Sequence, residues 1–284
     1  MLRYEKLDGP FGCSVYGLDL EAGVSDETFR SLTKVLYDHR LLVLKSQACT
    51  VDEYLQFGRL WGTPIQHVVD TSRMPDYPDL LAVGNLTGKD DLSRNSAAFW
   101  HTDQSYEADV ATATMLYAQK VPDVGGETKL VDTKAAYDDL DISIKENIAG
   151  MTAIHFYGAT SGRDGERRTR QLTGTQAARV PPVPHPLVRP HTVTGERALY
   201  AVAGTAFTIS GMEEEKANSL IAQLKAHCLQ DKYLYAHKYA VGDIAIWDTQ
   251  MTLHCATPIG APTRPDSERL LWRISVRGKP SIYQ

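Results

Sequence analysis

Thr112-Ala113-Thr114-Met115-Leu116-Tyr117 is the stretch that decides the fold class, because its residues alternate and include two β-branched threonines. Successive side chains of a strand point to opposite faces of a sheet, so this alternation is typical of a strand. The turn signal Val124-Gly125-Gly126-Glu127 separates it from a second strand-like run at 128–131. The middle of the chain therefore predicts sheet rather than helix.

Segments of the same kind lie on both sides of this pair. Further strands are predicted at 41–44, 198–202, 243–247 and 270–276. Helices are predicted after Ser25, after Thr50, from Thr133 and after Met212; Ser25 and Thr50 are residue types that cap helix N-termini. Many strands with a few helices favour one domain over residues 1–284, a mainly β jelly roll or sandwich with peripheral helices.

Composition excludes several classes of protein. The chain has 284 residues, of which 30 are basic and 35 acidic, for a net charge of −5, so a nucleic-acid partner is not expected. The longest uncharged stretch, 147–162, is shorter than the roughly 20 residues of a membrane span. The charged N-terminus does not resemble a signal peptide. Four cysteines without CxxC spacing predict buried thiols and a cytoplasmic location.

The segment 158–190 differs from the rest of the chain. It holds six arginines against Asp164 and Glu166, a local charge of +4, and its second half is rich in proline. A long segment without periodicity is typical of a lid or a binding loop. We predict a lid, with a solvated connector as the alternative.

A candidate metal site begins at His101 and Asp103. Residues i and i+2 of an extended chain point to the same side, so this imidazole and carboxylate can approach one ion. His254, directly after a strand-like segment, is the best candidate for a third ligand. Two histidines and one carboxylate form the facial triad of non-haem Fe(II) oxygenases, which leaves three positions of an octahedral ion for co-substrate and O2.

Arg269 and Arg273 suggest a second part of the site. They share one face of the strand-like run 269–273, where buried cations are costly unless each meets an anion. A guanidinium binds a carboxylate with two parallel hydrogen bonds, and the Thr128 hydroxyl can share that carboxylate. The alternative is that both arginines form surface ion pairs with Asp or Glu.

Several short motifs occur in an order that resembles one family. The sequence from Gly17 to Gly278 is similar to the taurine/2,4-dichlorophenoxyacetate dioxygenases, which depend on Fe(II) and 2-oxoglutarate. The motifs are Leu42-Val43-Leu44-Lys45, Phe57-Gly58-Arg59-Leu60-Trp61-Gly62, Trp100-His101-Thr102-Asp103, Gly125-Gly126-Glu127-Thr128, His185-Pro186-Leu187-Val188-Arg189-Pro190-His191, Gly242-Asp243-Ile244-Ala245-Ile246-Trp247-Asp248, and His254 with Arg269 and Arg273.

This resemblance implies a role for each matching residue. His101, Asp103 and His254 are the expected catalytic iron ligands. Thr128 and Arg269 are expected to hold the distal carboxylate of 2-oxoglutarate, and Arg273 is expected to lie at the co-substrate and face the acidic group of the substrate. His67, Trp100 and Arg273 are expected to contact the substrate. Apart from the resemblance, Trp100, Tyr106 and Phe207 could supply an apolar wall, with core packing as the alternative for Tyr106 and Phe207. The family fold is a double-stranded β-helix, or jelly roll.

The function that follows is hydroxylation of a C–H bond in a small organic anion, with O2 and 2-oxoglutarate as co-substrates. A sulfonate, a sulfate ester or a carboxylic or aryloxy acid fits the basic site. The taurine enzyme has an asparagine shortly before its Trp-His-Thr-Asp run, where this chain has Ala97-Ala98-Phe99, so taurine itself is not implied. Desaturation or cyclisation of a biosynthetic acid, a Zn²⁺-dependent hydrolase and a non-catalytic binding module are the alternatives. Family resemblance also predicts a homo-oligomer, a dimer or tetramer.

Overall fold

Strands dominate the computed structural model, which describes residues 2–86, 88–158 and 170–284. Within these ranges the strands are β1 (Arg3–Lys6), β2 (Cys13–Tyr16), β3 (Leu41–Leu44), β4 (Thr63–Pro64), β5 (Leu81–Gly84), β6 (Ala111–Lys120), β7 (Thr128–Asp132), β8 (Thr152–His155), β9 (Val183–Pro186), β10 (Val188–Pro190), β11 (Arg197–Leu199), β12 (Ala206–Ile209), β13 (Leu234–His237), β14 (Ile244–Asp248), β15 (Thr252–Ala256) and β16 (Leu270–Arg277). The helices are α1 (Asp26–His39), α2 (Val51–Trp61), α3 (Asp91–Asn95), α4 (Thr133–Asp138), α5 (Ile142–Ile148), α6 (Gly174–Arg179) and α7 (Glu214–Cys228). The prediction of a mainly β protein with peripheral helices is confirmed.

The largest sheet has eight strands in the order β1-β2-β3-β14-β6-β16-β4, with β5 also paired to β16. Its pairs are antiparallel except β2 with β3, which run parallel. A three-stranded sheet, β13-β7-β15, carries His254 on β15. The remaining described sheets are β12-β8-β9 and the pair β10-β11.

Successive residues of the central strands in the large sheet pack into two different hydrophobic clusters. Both faces of this sheet are therefore buried. Leu42 and Leu44 pack on the face covered by α1 and α2. Leu41 and Val43 pack on the other face, together with Leu130 of the β13-β7-β15 sheet. This alternation follows from the two-residue period of a strand. The second face and the smaller sheet thus share a core, beside which the candidate site lies.

The helices begin where the sequence predicts. The Ser25 side chain accepts a hydrogen bond from the backbone amide of Thr28. Thr50 and Glu53 form a reciprocal capping box at the start of α2. Helix α7 differs slightly, since Glu213 is its N-cap and accepts hydrogen bonds from the next amides instead of occupying the first turn. None of the helices in the described ranges is both long and apolar enough to cross a membrane.

The prediction for 158–190 needs correction. Residues 159–169 lie outside the described part of the chain. Residues 174–179 form α6, whose Arg179 bonds to Asp70 and to the Val68 carbonyl. Residues 183–186 and 188–190 are strands β9 and β10 rather than lid or connector. Proline is tolerated there because these are short strands at the margins of small sheets, where few ladder hydrogen bonds are lost.

Candidate active site

His101, Asp103 and His254 come together although the two histidines lie 153 positions apart in the sequence. Each offers a ligand atom, and these atoms lie within 4.8 Å of one another. His101 and Asp103 belong to the loop before β6, whereas His254 is on β15. The backbones of the two histidines form an isolated antiparallel bridge, with both N–H···O distances 2.9 Å. The bridge brings the His101 and His254 rings to 4.1 Å between centroids.

The donor atoms suit a divalent cation. Nδ1 of His101 lies 2.7 Å from the Phe99 carbonyl, to which it donates, so Nε2 is left with a lone pair for a metal. Oδ2 of Asp103 is buried and has no hydrogen-bond partner among the described residues, while Nε2 of His254 lies 3.5 Å away. A buried carboxylate oxygen without a partner is costly, and a cation between these atoms would remove that cost. The residues therefore fit a metal ion.

The protonation states also favour metal binding, which requires neutral imidazole and ionised carboxylate. Burial lowers the pKa of His254 to about 3, so its ring is neutral near pH 7. Burial opposes the ionisation of Asp103, but Arg273, His254 and His101 together outweigh it and hold its pKa well below the usual range.

The three residues lie in the wall of a cavity of about 630 Å³. Its lining is strongly basic: among the described residues, Asp103 is the only carboxylate that faces it. The six lysine and arginine residues in the lining are Arg73, Lys89, Arg94, Arg170, Arg269 and Arg273. Among the described residues, four of the six pair with a nearby aspartate, whereas Lys89 and Arg269 have no carboxylate partner, and their charge favours anionic occupants.

Arg269 and Thr128 occupy adjacent parts of this wall. The Arg269 side chain is buried and donates from Nε to the Gly126 carbonyl at 2.9 Å, which fixes the plane of the guanidinium. No carboxylate of the described residues lies within ion-pair distance of it, so the alternative of a surface ion pair does not hold for Arg269. Thr128 is buried, and its hydroxyl lies 2.9 Å from the Tyr239 hydroxyl. The two residues together can receive an anion.

Arg273 is held differently, because it pairs with Asp103 at 2.7 Å and also donates to Ser275. It lines the cavity, as does His67. Burial, and then the nearby Arg273 charge, lower the pKa of His67 to about 4. Nδ1 of His67 accepts from the Val69 amide, so the proton of the neutral ring is on Nε2. His67 can therefore donate one hydrogen bond from Nε2.

The other predicted substrate contacts divide into two groups. Tyr106 lines the cavity, and its ring packs edge-on against Tyr157 at 5.1 Å. Trp100 and Phe207 do not belong to the described lining, which corrects the prediction for both. Trp100 packs against the hydrophobic cluster beneath α7, and the Phe207 ring lies against Phe156 at 4.6 Å. Successive residues of an extended segment face opposite sides, so the side chain of Trp100 points away from that of His101.

Sequence reasoning missed several basic residues of the wall. Lys89 and Arg94 come from the turn-rich stretch around α3, where scattered positive charges carry no recognisable spacing. Lys89 donates to the Ala82 carbonyl, and burial followed by the Arg269 charge lowers its pKa. Arg170 belongs to the basic segment noted in the sequence and pairs with Asp90.

Comparisons with known proteins find similar sequences among dioxygenases. The sequence pattern of the family "Taurine catabolism dioxygenase TauD, TfdA family" matches residues 3–275. An alpha-ketoglutarate-dependent 2,4-dichlorophenoxyacetate dioxygenase of Burkholderia sp. (strain RASC) is 28% identical over 295 residues, covering 98% of each chain. An alpha-ketoglutarate-dependent sulfate ester dioxygenase of Pseudomonas putida is 26% identical, covering 96% of this chain and 89% of its own.

A solved structure shows the same fold. The taurine dioxygenase from Burkholderia xenovorans superimposes with a TM-score of 0.78 at 22% identity, covering 98% of this chain and 91% of its own. The protein is a 2-oxoglutarate-dependent non-haem iron dioxygenase, with Fe(II) as its metal and 2-oxoglutarate and O2 as co-substrates. Its match over nearly the whole length and its clustered His-Asp-His residues make the chain a member of the TauD/TfdA dioxygenase family.

Proposed function

We propose that the enzyme hydroxylates a C–H bond of a small organic anion, a sulfonate, a sulfate ester or a carboxylic or aryloxy acid. In this reaction R–H, O2 and 2-oxoglutarate give R–OH, succinate and CO2. The observation that carries the proposal is the position of His101, Asp103 and His254 in the wall of a cavity with six basic side chains and one carboxylate. The named relatives act on anions of these kinds, a phenoxyacetate and a sulfate ester.

In this proposal His101, Asp103 and His254 would hold Fe(II). Bound there, Fe(II) would supply the redox chemistry by which O2 oxidises 2-oxoglutarate and the substrate C–H bond. Arg273 keeps Asp103 ionised, and the His101–Phe99 hydrogen bond holds one ring in the tautomer that binds metal. The protein thus presents the three ligand residues close together, with Asp103 ionised.

The co-substrate is oriented by Arg269 and Thr128, which we propose hold the carboxylate far from the metal. The Gly126 carbonyl fixes Arg269, and Tyr239 lies beside both residues, with its ring 5.8 Å from the Arg269 guanidinium carbon. Because Arg269 is desolvated and no carboxylate of residues 2–86, 88–158 or 170–284 pairs with it, a bound carboxylate gains a charge-assisted pair in low dielectric.

The substrate anion is received by Arg273 and His67, with Tyr106 forming the apolar wall. Nε of Arg273 is buried and has no hydrogen-bond partner among the described residues, although Nη2 is fully engaged. His67 adds a neutral N–H rather than a second charge, because its pKa is about 4. A single negative charge with several acceptor oxygens satisfies both donors.

The fold and assembly belong to the same proposal. We propose that the large sheet and the β13-β7-β15 sheet are the walls of a double-stranded β-helix, which is supported by their shared cluster around Leu116, Leu130 and Trp247.

We also propose a dimer or tetramer, to be measured by light scattering. The buried thiols of Cys13, Cys49 and Cys228 support a reducing, cytoplasmic setting. A lid role is proposed only for residues 170–182, the described part of the segment 158–190 that directly precedes β9.

The test is succinate release from 2-oxoglutarate with Fe(II), O2 and ascorbate across a panel of sulfonates, sulfate esters and aryloxy acids. The expected result is substrate-dependent succinate and a product that has gained one oxygen. Loss of two hydrogens from the product would indicate desaturation or cyclisation. Turnover without O2 would indicate a hydrolase and contradict the proposal. The H101A and D103A variants are expected to be inactive.

A further inference from the structure

A chain of hydrogen bonds runs from a buried histidine to the loop that carries Asp103. Nδ1 of His155 lies 3.0 Å from Oγ1 of Thr205. Oγ1 of Thr205 lies 2.6 Å from Oγ of Ser105. Ser105 in turn donates to the Thr102 carbonyl at 2.9 Å. The last acceptor belongs to the peptide group that joins Thr102 to Asp103.

Counting donors fixes the direction of every bond in this chain. Ser105 has one hydroxyl hydrogen, which goes to the Thr102 carbonyl, so the Thr205 hydroxyl must donate to Ser105. The Thr205 oxygen can then only accept from His155, whose proton is therefore on Nδ1. All three side chains are buried, which strengthens these bonds relative to the same bonds in water. Burial also lowers the pKa of His155 to about 3, consistent with a neutral ring.

The loop at which this chain of hydrogen bonds ends is strained and tightly packed. Gln104, next to Asp103, has φ of 48°, a left-handed conformation that is unfavourable for a residue with a Cβ. Such a conformation persists only where the surroundings determine it. Gly204, next to Thr205, approaches so closely that a Cβ there would lie 2.8 Å from Cβ of His101. The segment around Thr205 thus packs directly against the loop that carries the predicted metal ligands His101 and Asp103.

We propose that Thr205 and His155 are positioning residues for the metal site, acting through Ser105 to hold the Asp103 loop in its metal-binding conformation. The inference rests on the proposed assignment of His101 and Asp103 as metal ligands. Thr205 also lines the cavity, but its hydroxyl both donates and accepts within the chain. Its role here therefore concerns the metal, and can be measured without any substrate.

The experiment measures Mn(II) binding by the metal-free enzyme through tryptophan fluorescence, since the Trp247 ring lies 4.7 Å from the His254 ring. Thr205→Val keeps the shape of the side chain and removes the hydroxyl. It is expected to weaken Mn(II) binding by about 10-fold, which is the size of effect seen in other proteins when a residue that supports a metal ligand is replaced. Thr205→Ser restores the hydroxyl and should bind within about 3-fold of wild type. His155→Asn, which keeps a donor near Nδ1, should bind more tightly than His155→Leu.

Two control variants make the outcome decisive. Thr33→Val removes a buried hydroxyl that donates to the Arg30 carbonyl within α1, so it measures the stability cost alone and should leave Mn(II) affinity unchanged. His101→Ala tests the ligand assignment itself. Equal Mn(II) affinity for T205V and T205S, with affinity lost in H101A, would overturn the positioning role only. Unchanged affinity in H101A would overturn the proposed metal site instead. If T205V does not fold, Ser105→Ala breaks the same chain, and wild-type Mn(II) affinity in that variant would reject the inference.

Discussion

The backbones of His101 and His254 hold each other in a reciprocal bridge, in which the amide of each residue donates to the carbonyl of the other over 2.9 Å. The relative position of the two imidazoles is therefore set by main-chain hydrogen bonds rather than by their rotamers alone. Hydrogen bonds at a buried position are stronger than in water, so this bridge holds the two backbones firmly in register.

Metal binding should stabilise the protein through these residues. At a free Mn(II) concentration 100 times Kd, the folded state gains about 2.7 kcal/mol, which for a chain of this size corresponds to a rise in Tm of roughly 5–10 °C. Differential scanning fluorimetry with and without Mn(II) measures this. His101→Ala should lose the rise, whereas His39→Ala, at the end of α1, should keep it. A full rise in H101A would contradict the assignment.

Replacing Arg269 by lysine should raise KM for 2-oxoglutarate. A lysine cannot make the paired hydrogen bonds of a guanidinium, and loss of about 1.5–3 kcal/mol corresponds to roughly a 10–150-fold increase. The matched control is Arg277→Lys at the end of β16, where the side chain pairs with Glu107. Its KM should stay near that of wild type. Steady-state succinate release measures both, and an unchanged KM in R269K would place the co-substrate elsewhere.

Gly204→Ala should damage the metal site more than an otherwise similar substitution. Gly204 has φ of +73°, and an added Cβ would lie 2.8 Å from Cβ of His101. Gly211 has φ of +75° but open space around the same position, so Gly211→Ala isolates the backbone strain. We expect G211A to cost about 1 kcal/mol and G204A to cost a further 1–3 kcal/mol from overpacking. Urea unfolding measures the free energy of unfolding of both variants, and only G204A should also weaken Mn(II) binding. If G204A and G211A lost the same stability and the same Mn(II) affinity, this account would be refuted.

Asp248 should make stability depend on pH. Burial raises its pKa to about 7, although Arg40 acts in the opposite direction. Between pH 4 and 7 the folded state retains a proton that the unfolded state has lost, so this contribution to stability falls as pH rises through 7. The full effect is at most about 4 kcal/mol.

Asp248→Asn stays neutral and can still accept from the Gln250 amide. Its free energy of unfolding should therefore exceed that of wild type by a larger margin at pH 8 than at pH 5. The control Asp266→Asn, at an exposed position, should show the same difference from wild type at both values. A difference between D248N and wild type that does not grow with pH would rule out a raised pKa at Asp248.

Local patterns in the sequence were sufficient for much of the architecture. The alternation at 112–117 marks a strand that the structure extends to Ala111–Lys120, and Ser25 and Thr50 start helices through bonds to nearby amides. The strand over 198–202 is shorter than predicted, Arg197–Leu199. Ala201 has φ of 47°, which no strand accommodates, and nothing in the local sequence announces it.

By itself the sequence determined the residue types and spacings of the site: a His-x-Asp pair, a distant histidine and two arginines on one strand face. Periodicity and capping act over a few residues, so they are readable along the chain. Only the tertiary structure decided that His101 and His254 share a bridge, that Arg273 pairs with Asp103, and that Trp100 and Phe207 lie outside the cavity lining. Contacts between segments depend on sheet pairing and on the packing of both sheet faces, which no short window of sequence encodes.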